Sequence, residues 1–248
     1  KVSARHVASV GNGRQPWQPG DMGGYDILNA QDIAVDQDGN VYICGTGHGK
    51  AIQKVSPEGE VIWAGPNTGA IEVPTAIALS ESFVYAANGN RGWYRLHRDT
   101  GQVAPLAGDQ RMVVFEPNQK ASDNWWVWPD PFTDYPTRHL QDGIRGERDT
   151  RGLVVYDGKL YLPMHYHHHI RVYDAGTGEE LDRWPVAHPA GMALDSNGDL
   201  LVITERRIVK YRADGTYLGN LIVDQLGFPE ALAVGPDGSI YVTDLSPP

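Results

Sequence analysis

The chain has 248 residues, 41% of them hydrophobic and 21% charged, with a formal net charge of −10 at pH 7; one all-β domain with a sizeable core fits that length. The acidic balance, with no cluster of Lys and Arg, argues against a nucleic-acid partner, because such binding rests on basic side chains neutralising phosphates. A single cysteine excludes an intrachain disulfide framework, and no apolar run nears the ~20 residues that span a membrane.

With 29 glycines and 17 prolines the chain is rich in turns. Residues 6–10, followed by Gly11-Asn12-Gly13, read as a strand with an exit loop. A four-strand phrase, a to d, then begins at Ile33: a short apolar strand a, an Asp38-Gly39 turn, and a strand b around Tyr42 and Cys44. Strand c follows at residues 52–55, then Glu58-Gly59, then strand d at 60–64. Asp-Gly and Asn-Gly pairs supply the positive φ values of two-residue hairpin turns. Cys44, inside a strand, is expected to be a buried and inert thiol.

The phrase recurs from Ile77, with Tyr85 on strand b, strand c at 93–97, Thr100-Gly101, and strand d at 102–106. Residues 107–149 then interrupt it. The third copy starts at Leu153, turns at Asp157-Gly158, carries Tyr161, and reaches strand c through a run of histidines; its c–d turn is Thr177-Gly178. The fourth starts at Met192, turns at Asn197-Gly198 and Asp214-Gly215, and has Leu201 in place of the tyrosine. The fifth starts at Leu232, turns at Asp237-Gly238 and holds Tyr241, with strands a and b alone. A period of ~40 residues matches one four-stranded blade of a propeller, a unit that must stack on neighbours to bury its apolar faces.

The pattern of Pro, two residues, an Ile/Leu-Ala-Val-Asp strand, Asp-Gly and Val-Tyr-Val is best kept at residues 189–203 and 229–243, and it resembles the NHL-repeat family of β-propellers. The resemblance covers nearly the whole chain outside residues 107–149. It implies an all-β propeller of four-stranded blades, five recognisable and the last incomplete, in a ring of five or six. It further implies one propeller domain over residues 1–248, within a longer polypeptide that carries further domains, in an extracellular or periplasmic setting. Residues 173–178, with Trp184, also resemble a quinoprotein-type docking repeat. The family hosts enzymes, protein-binding modules and RNA-binding modules, so fold alone assigns no activity.

In antiparallel four-stranded blades the a–b and c–d turns share one rim, and the b–c and d–a loops share the other. The short Gly hairpins fall on the first rim; residues 47–49, the 107–149 insertion, the His165 to His169 run and His188 fall on the second, where a ligand site is expected. Imidazoles suit zinc or copper, and an extended segment would set His165, His167 and His169 on one face, with His48 or His188 completing a ligand set. The alternative is a polar loop, since His169 stands where Arg207 stands in the next repeat. Within the insertion, Trp125, Trp126, Trp128 and Tyr135 form a candidate stacking platform for sugar or peptide; the alternatives are rings packed onto the blade top, or a divergent extra blade.

Propeller amidating lyases, in the same resemblance, carry a metal-binding His directly after the Pro that opens strand a. Here those positions hold Gln31, Thr75, Arg151, Ala190 and Glu230, with no His among them. Gluconolactonase-like propellers use acidic and Asn ligands near the central channel; the surrounding motifs here differ from theirs, but Asp32 and Glu230 are expected to face that channel, where a calcium site is an alternative, and Arg151 and Glu230 are taken as ligand-contacting. No P-loop, paired-Cys motif, dinucleotide fingerprint or Ser/His/Asp arrangement is present. The leading expectation is a recognition module for a protein or carbohydrate partner; the alternative is a metal-dependent hydrolase or lyase on the same rim.

Overall fold

A computed structural model describes residues 30–45, 52–65, 74–88, 92–115, 150–223 and 225–245. The first sheet is β1 (Ala30–Val35), β2 (Val41–Gly45), β3 (Ile52–Val55) and β4 (Val61–Gly65). The second is β5 (Ala76–Leu79), β6 (Phe83–Ala87), β7 (Gly92–His97) and β8 (Val113–Val114). The third is β9 (Val154–Tyr156), β10 (Lys159–Met164), β11 (His169–Asp174) and β12 (Glu180–Pro185), and the fourth is β13 (Pro189–Leu194), β14 (Leu200–Thr204), β15 (Arg207–Tyr211) and β16 (Tyr217–Ile222). A final pair joins β17 (Pro229–Val234) to β18 (Ile240–Asp244). Within each sheet, strands pair antiparallel in chain order, so the described residues form four complete four-stranded blades and one two-stranded pair.

Strand a of each blade packs beside strand a of the next, β1 on β5, β5 on β9, β9 on β13 and β13 on β17. The blades therefore stand around a common axis with their faces pressed together. Four apolar clusters fill the spaces between them. Tyr42, Cys44, Ile77 and Tyr94 lie between blades 1 and 2, and Tyr85, Trp93, Leu153 and Tyr173 between blades 2 and 3. Tyr161, Trp184, Met192 and Val202 lie between blades 3 and 4; Leu201, Ile203 and Leu232 join blade 4 to the final pair. Burying a ring such as Tyr161 contributes roughly 1.5–3 kcal/mol. Its hydroxyl also donates to Ala213 O at 3.2 Å on the next blade. Trp184, the docking-type residue, packs against Tyr161 and Tyr211. Cys44 is fully buried, as its strand position predicts.

Three local expectations are corrected. Only Asp157-Gly158 is a two-residue hairpin with both central φ values positive, 49° and 70°. At Gly39, Gly198 and Gly238 a single positive φ near 80° closes a three-residue loop. In the first two, Asp36 Oδ1 accepts from the backbone of Asp38 and Asn40, and Asp195 Oδ1 from Asn197 and Asp199, stabilising the longer turn; in the third, Gly235 holds that position and backbone hydrogen bonds close the same loop. Strand d of blade 2 is not residues 102–106, which make only an isolated bridge from Leu96 to Val103. The chain instead passes a 3-10 turn at Ala107–Asp109 and pairs β8 with Gly92 and Trp93, so the start of the 107–149 stretch completes the blade. Finally, His165 to His169 is not extended: His165–His167 is a 3-10 turn, His168 is left-handed with φ 55°, and β11 begins at His169.

Candidate functional site: the channel mouth and the b–c/d–a rim

Strand a enters each blade from the loop-bearing rim, so the residue after its opening proline lies at the mouth of the central channel. Close approach of these strands is set by small residues. A Cβ on Gly191 would lie 2.8 Å from Ala231 Cα, and one on Gly152 would lie 3.1 Å from Met192 N. The mouth thus collects Thr75, Arg151, Ala190 and Glu230. Arg151 Nη1 donates to Glu230 Oε1 at 3.1 Å, reaching from blade 3 past the small, buried Ala190 of blade 4 to the final pair. Their side chains are 16% and 35% exposed, so water screens the pair and its contribution to stability is about 0–1 kcal/mol. A partly exposed ion pair of little structural worth suits exchange with a polar ligand.

Around the mouth, Thr75 Oγ1 and Thr150 Oγ1 share a hydrogen bond of 2.9 Å. Asp32 sits one residue deeper: Oδ1 accepts from its neighbour Ile33 N and Oδ2 from Ile77 N on the next blade, both at 2.8 Å. Burial raises the Asp32 carboxyl to about 6, only partly offset by these two N–H donors. The carboxylate is therefore a clasp between blades 1 and 2, already occupied by backbone donors.

The histidines form the second feature of this rim, and they divide into two sets. His169 is structural: Nδ1 donates to His167 O at 2.8 Å and Nε2 accepts from Arg171 Nε at 3.1 Å. Burial pushes its pKa down to about 4, the carbonyl contact opposes this, and Arg171 adds to the fall. Both ring nitrogens are committed, so His169 is ill-suited to a metal. Arg171 continues the chain of contacts to Tyr173 and Glu180 and lies over the Phe115 ring, locking blade 3 to blade 2.

The other set gathers where the b–c loop of blade 3 meets the d–a loop before blade 4. His165 Nδ1 donates to Pro189 O at 3.2 Å. His168 Nδ1 accepts from His188 N at 3.1 Å, which puts the His168 proton on Nε2. The His188 ring lies 4.1 Å from the His168 ring and 5.3 Å from the His165 ring, centroid to centroid. His168 was not among the sequence-derived candidates; a left-handed residue is invisible in a run of identical side chains. Among the described residues no three His, Cys, Asp or Glu side chains converge so as to hold a metal ion. Trp125, Trp126, Trp128, Tyr135 and His48 lie outside the described residues.

A family model for a β-propeller repeat (SBBP) matches residues 20–50. No curated protein matches the chain. Among solved structures, the chain is similar to a protein of unknown function from Bacteroides caccae, with 15% identity, TM-score 0.59, and coverage of 87% of this chain and 70% of that one. It is similar to virginiamycin B lyase from Staphylococcus aureus, with 15% identity, TM-score 0.57, and coverage of 88% and 64%. It is likewise similar to a gluconolactonase from Xanthomonas campestris, with 13% identity, TM-score 0.58, and coverage of 87% and 69%. The chain therefore spans less than two thirds of the lyase's length and a little more than two thirds of the other two. Similarity at this identity concerns fold: an all-β propeller of antiparallel four-stranded blades.

Proposed function

We propose that the chain is a recognition module of a longer polypeptide, binding a protein or carbohydrate partner through the b–c/d–a rim of a five- or six-bladed ring. One observation carries the reading. The glycine hairpins occupy one rim, while the Arg151–Glu230 pair and the imidazoles of His165, His168 and His188 occupy the other. A channel mouth with one cation and one anion in exchangeable contact offers directional hydrogen bonds to hydroxyl, amide or carboxylate groups. Trp125, Trp126, Trp128 and Tyr135 are proposed to add stacking area beside it.

A printed oligosaccharide array and a peptide-display library are the probes. The unmodified protein is expected to retain a defined ligand set. Arg151→Met, and separately the triple change of Trp125, Trp126 and Trp128 to Ala, should weaken retention by about tenfold or more at unchanged Tm. Asp237→Ala, on the hairpin rim, should leave retention intact. Retention that survives both rim variants removes the assignment.

A second reading, a metal-dependent hydrolase or lyase on the same rim, is favoured by the gathering of the His165, His168 and His188 rings where two rim loops meet. His165, with His167 or His48, would take zinc or copper, and Glu230 at the channel mouth would take calcium; Asp32, bound by two backbone donors, would not. A lyase and a gluconolactonase among the similar solved structures support an enzyme reading of this architecture. Stoichiometric zinc, copper or calcium in gently purified protein is the expected result under this reading, and metal-free protein that retains its ligands rejects it.

A further inference from the structure

Asp32 shows what the inner edge of strand a can hold. It stands just before Ile33, the first apolar residue of its strand a. Its Oδ1 accepts from Ile33 N and its Oδ2 from Ile77 N, the equivalent amide of the next blade, both at 2.8 Å. Those amides are available because strand a is the innermost strand of its blade. In blade 1 the turn bond from Asp36 N to Asn40 O sets the alternation. Ile33, opposite Ile43, is therefore a non-hydrogen-bonded position whose N–H and C=O point away from strand b.

The later blades repeat this backbone without the carboxylate. Asp195 N donates to Asp199 O, which makes Met192, opposite Val202, a position of the same kind. Gly235 N donates to Ser239 O, which does the same for Leu232, opposite Val242. Gly191 takes the place that Asp32 has in blade 1. A Cβ there would lie 2.9 Å from Leu232 N, so the position looks onto the next blade's amide as Asp32 looks onto Ile77 N. Among the described residues no side chain is hydrogen-bonded to Met192 N or Leu232 N. Above these two amides, Arg151 Nη1 donates to Glu230 Oε1 across Ala190, which is 2% exposed beneath the pair. A carboxylate that replaced Glu230 on the guanidinium would meet both amides one step further down the axis.

We propose that this place takes the free carboxylate at the C-terminal end of a partner polypeptide. Arg151 exchanges Glu230 for it, and Met192 N and Leu232 N donate to its oxygens as Ile33 N and Ile77 N donate to Asp32. The inference rests on the recognition reading above and narrows its partner to a protein terminus. Two features select a chain end over an acidic sugar. Strand a of blade 4 approaches that of the final pair so closely that a Cβ on Gly191 would lie 2.8 Å from Ala231 Cα; a slim terminal group entering end-on fits beside such strands, and a sugar ring does not. The C=O groups of Met192 and Leu232 share the inward edge with their N–H groups, so the peptide N–H next to the carboxylate meets an acceptor as well.

The probes are N-acetyl-dialanine with a free carboxylate, the same peptide as its C-terminal amide, and D-glucuronate. Each is added to the unmodified protein, isotopically labelled for amide resonances. Met192 and Leu232 amide protons are expected to move downfield with the free acid and to stay in place with the peptide amide. Gly152→Asp puts a resident carboxylate on blade 3 facing Met192 N, which a Cβ at that position would approach to 3.1 Å. Its affinity for the free acid should fall about tenfold or more below that of Gly152→Ala, which brings the bulk alone. Should Gly152→Asp fail to fold, the resonances of the unmodified protein decide by themselves. Two amides unmoved by the free acid, or moved equally by the peptide amide, overturn the proposal. Equal movement with D-glucuronate overturns it in favour of an acidic sugar. If the array or display library retains ligands while these amides stay unmoved, this inference falls alone and the recognition reading stands.

Discussion

Asp32 shows how one side chain couples the rim to the ring. Its folded pKa of about 6 stands above the unfolded value near 3.8, so the folded protein prefers the protonated form. Its contribution to stability is fully present below about pH 4 and is lost as the pH rises through about 6. Asp32→Asn, which mimics the neutral acid and can still accept from Ile77 N, should remove that dependence. The unmodified protein should lose roughly 1–3 kcal/mol between those two pH values, and the variant should not. Urea midpoints measured across the window decide it; parallel curves for the two proteins would reject the clasp. His169 behaves oppositely, neutral and fully bonded across the physiological range, which is why a histidine in this run serves packing.

Among the elements, strand a is the least tolerant of change, because it packs on its counterparts with backbone in contact. Gly191→Ala places a Cβ 2.8 Å from Ala231 Cα and Glu230 O, so β17 must move away from β13. A loss of about 1–3 kcal/mol is expected, with a displaced Glu230 and weaker ligand retention. Gly152→Ala meets its nearest atom at 3.1 Å and should cost less. Denaturant midpoints of the two variants check this order. The hairpins are more forgiving in sequence terms but less legible: the glycines announce a turn but not its length, and the three-residue loop forms both where Asp36 or Asp195 caps two amides and where Gly235 stands instead.

At the scale of the molecule, stability comes from stacking: each blade is buried only by its neighbours. The Arg98–Asp36 ion pair at 2.9 Å, with Arg98 Nε donating to Tyr42 OH, ties blade 1 to blade 2 near the hairpin rim, and Arg95 Nη1 donates to Ala175 O between blades 2 and 3. The opposite rim carries connections of differing length, from the two-residue Glu205-Arg206 turn of blade 4 to the His165–His167 turn of blade 3. The recognition reading belongs to this scale, because it depends on where polar side chains collect.

The primary structure alone determined the blades. Alternation within strands, a ~40-residue period and glycine at the turns are local properties, and together they specify repeats that must stack. It also determined the two rims, because antiparallel order fixes which turns lie together. Tertiary packing decided the rest. The left-handed His168 brings its ring against His188, a residue distant in the chain, and that contact broke the expected same-face histidine set. Arg151 and Glu230 were both legible as mouth residues, but their pairing across Ala190 depends on how far strand a of one blade approaches the next.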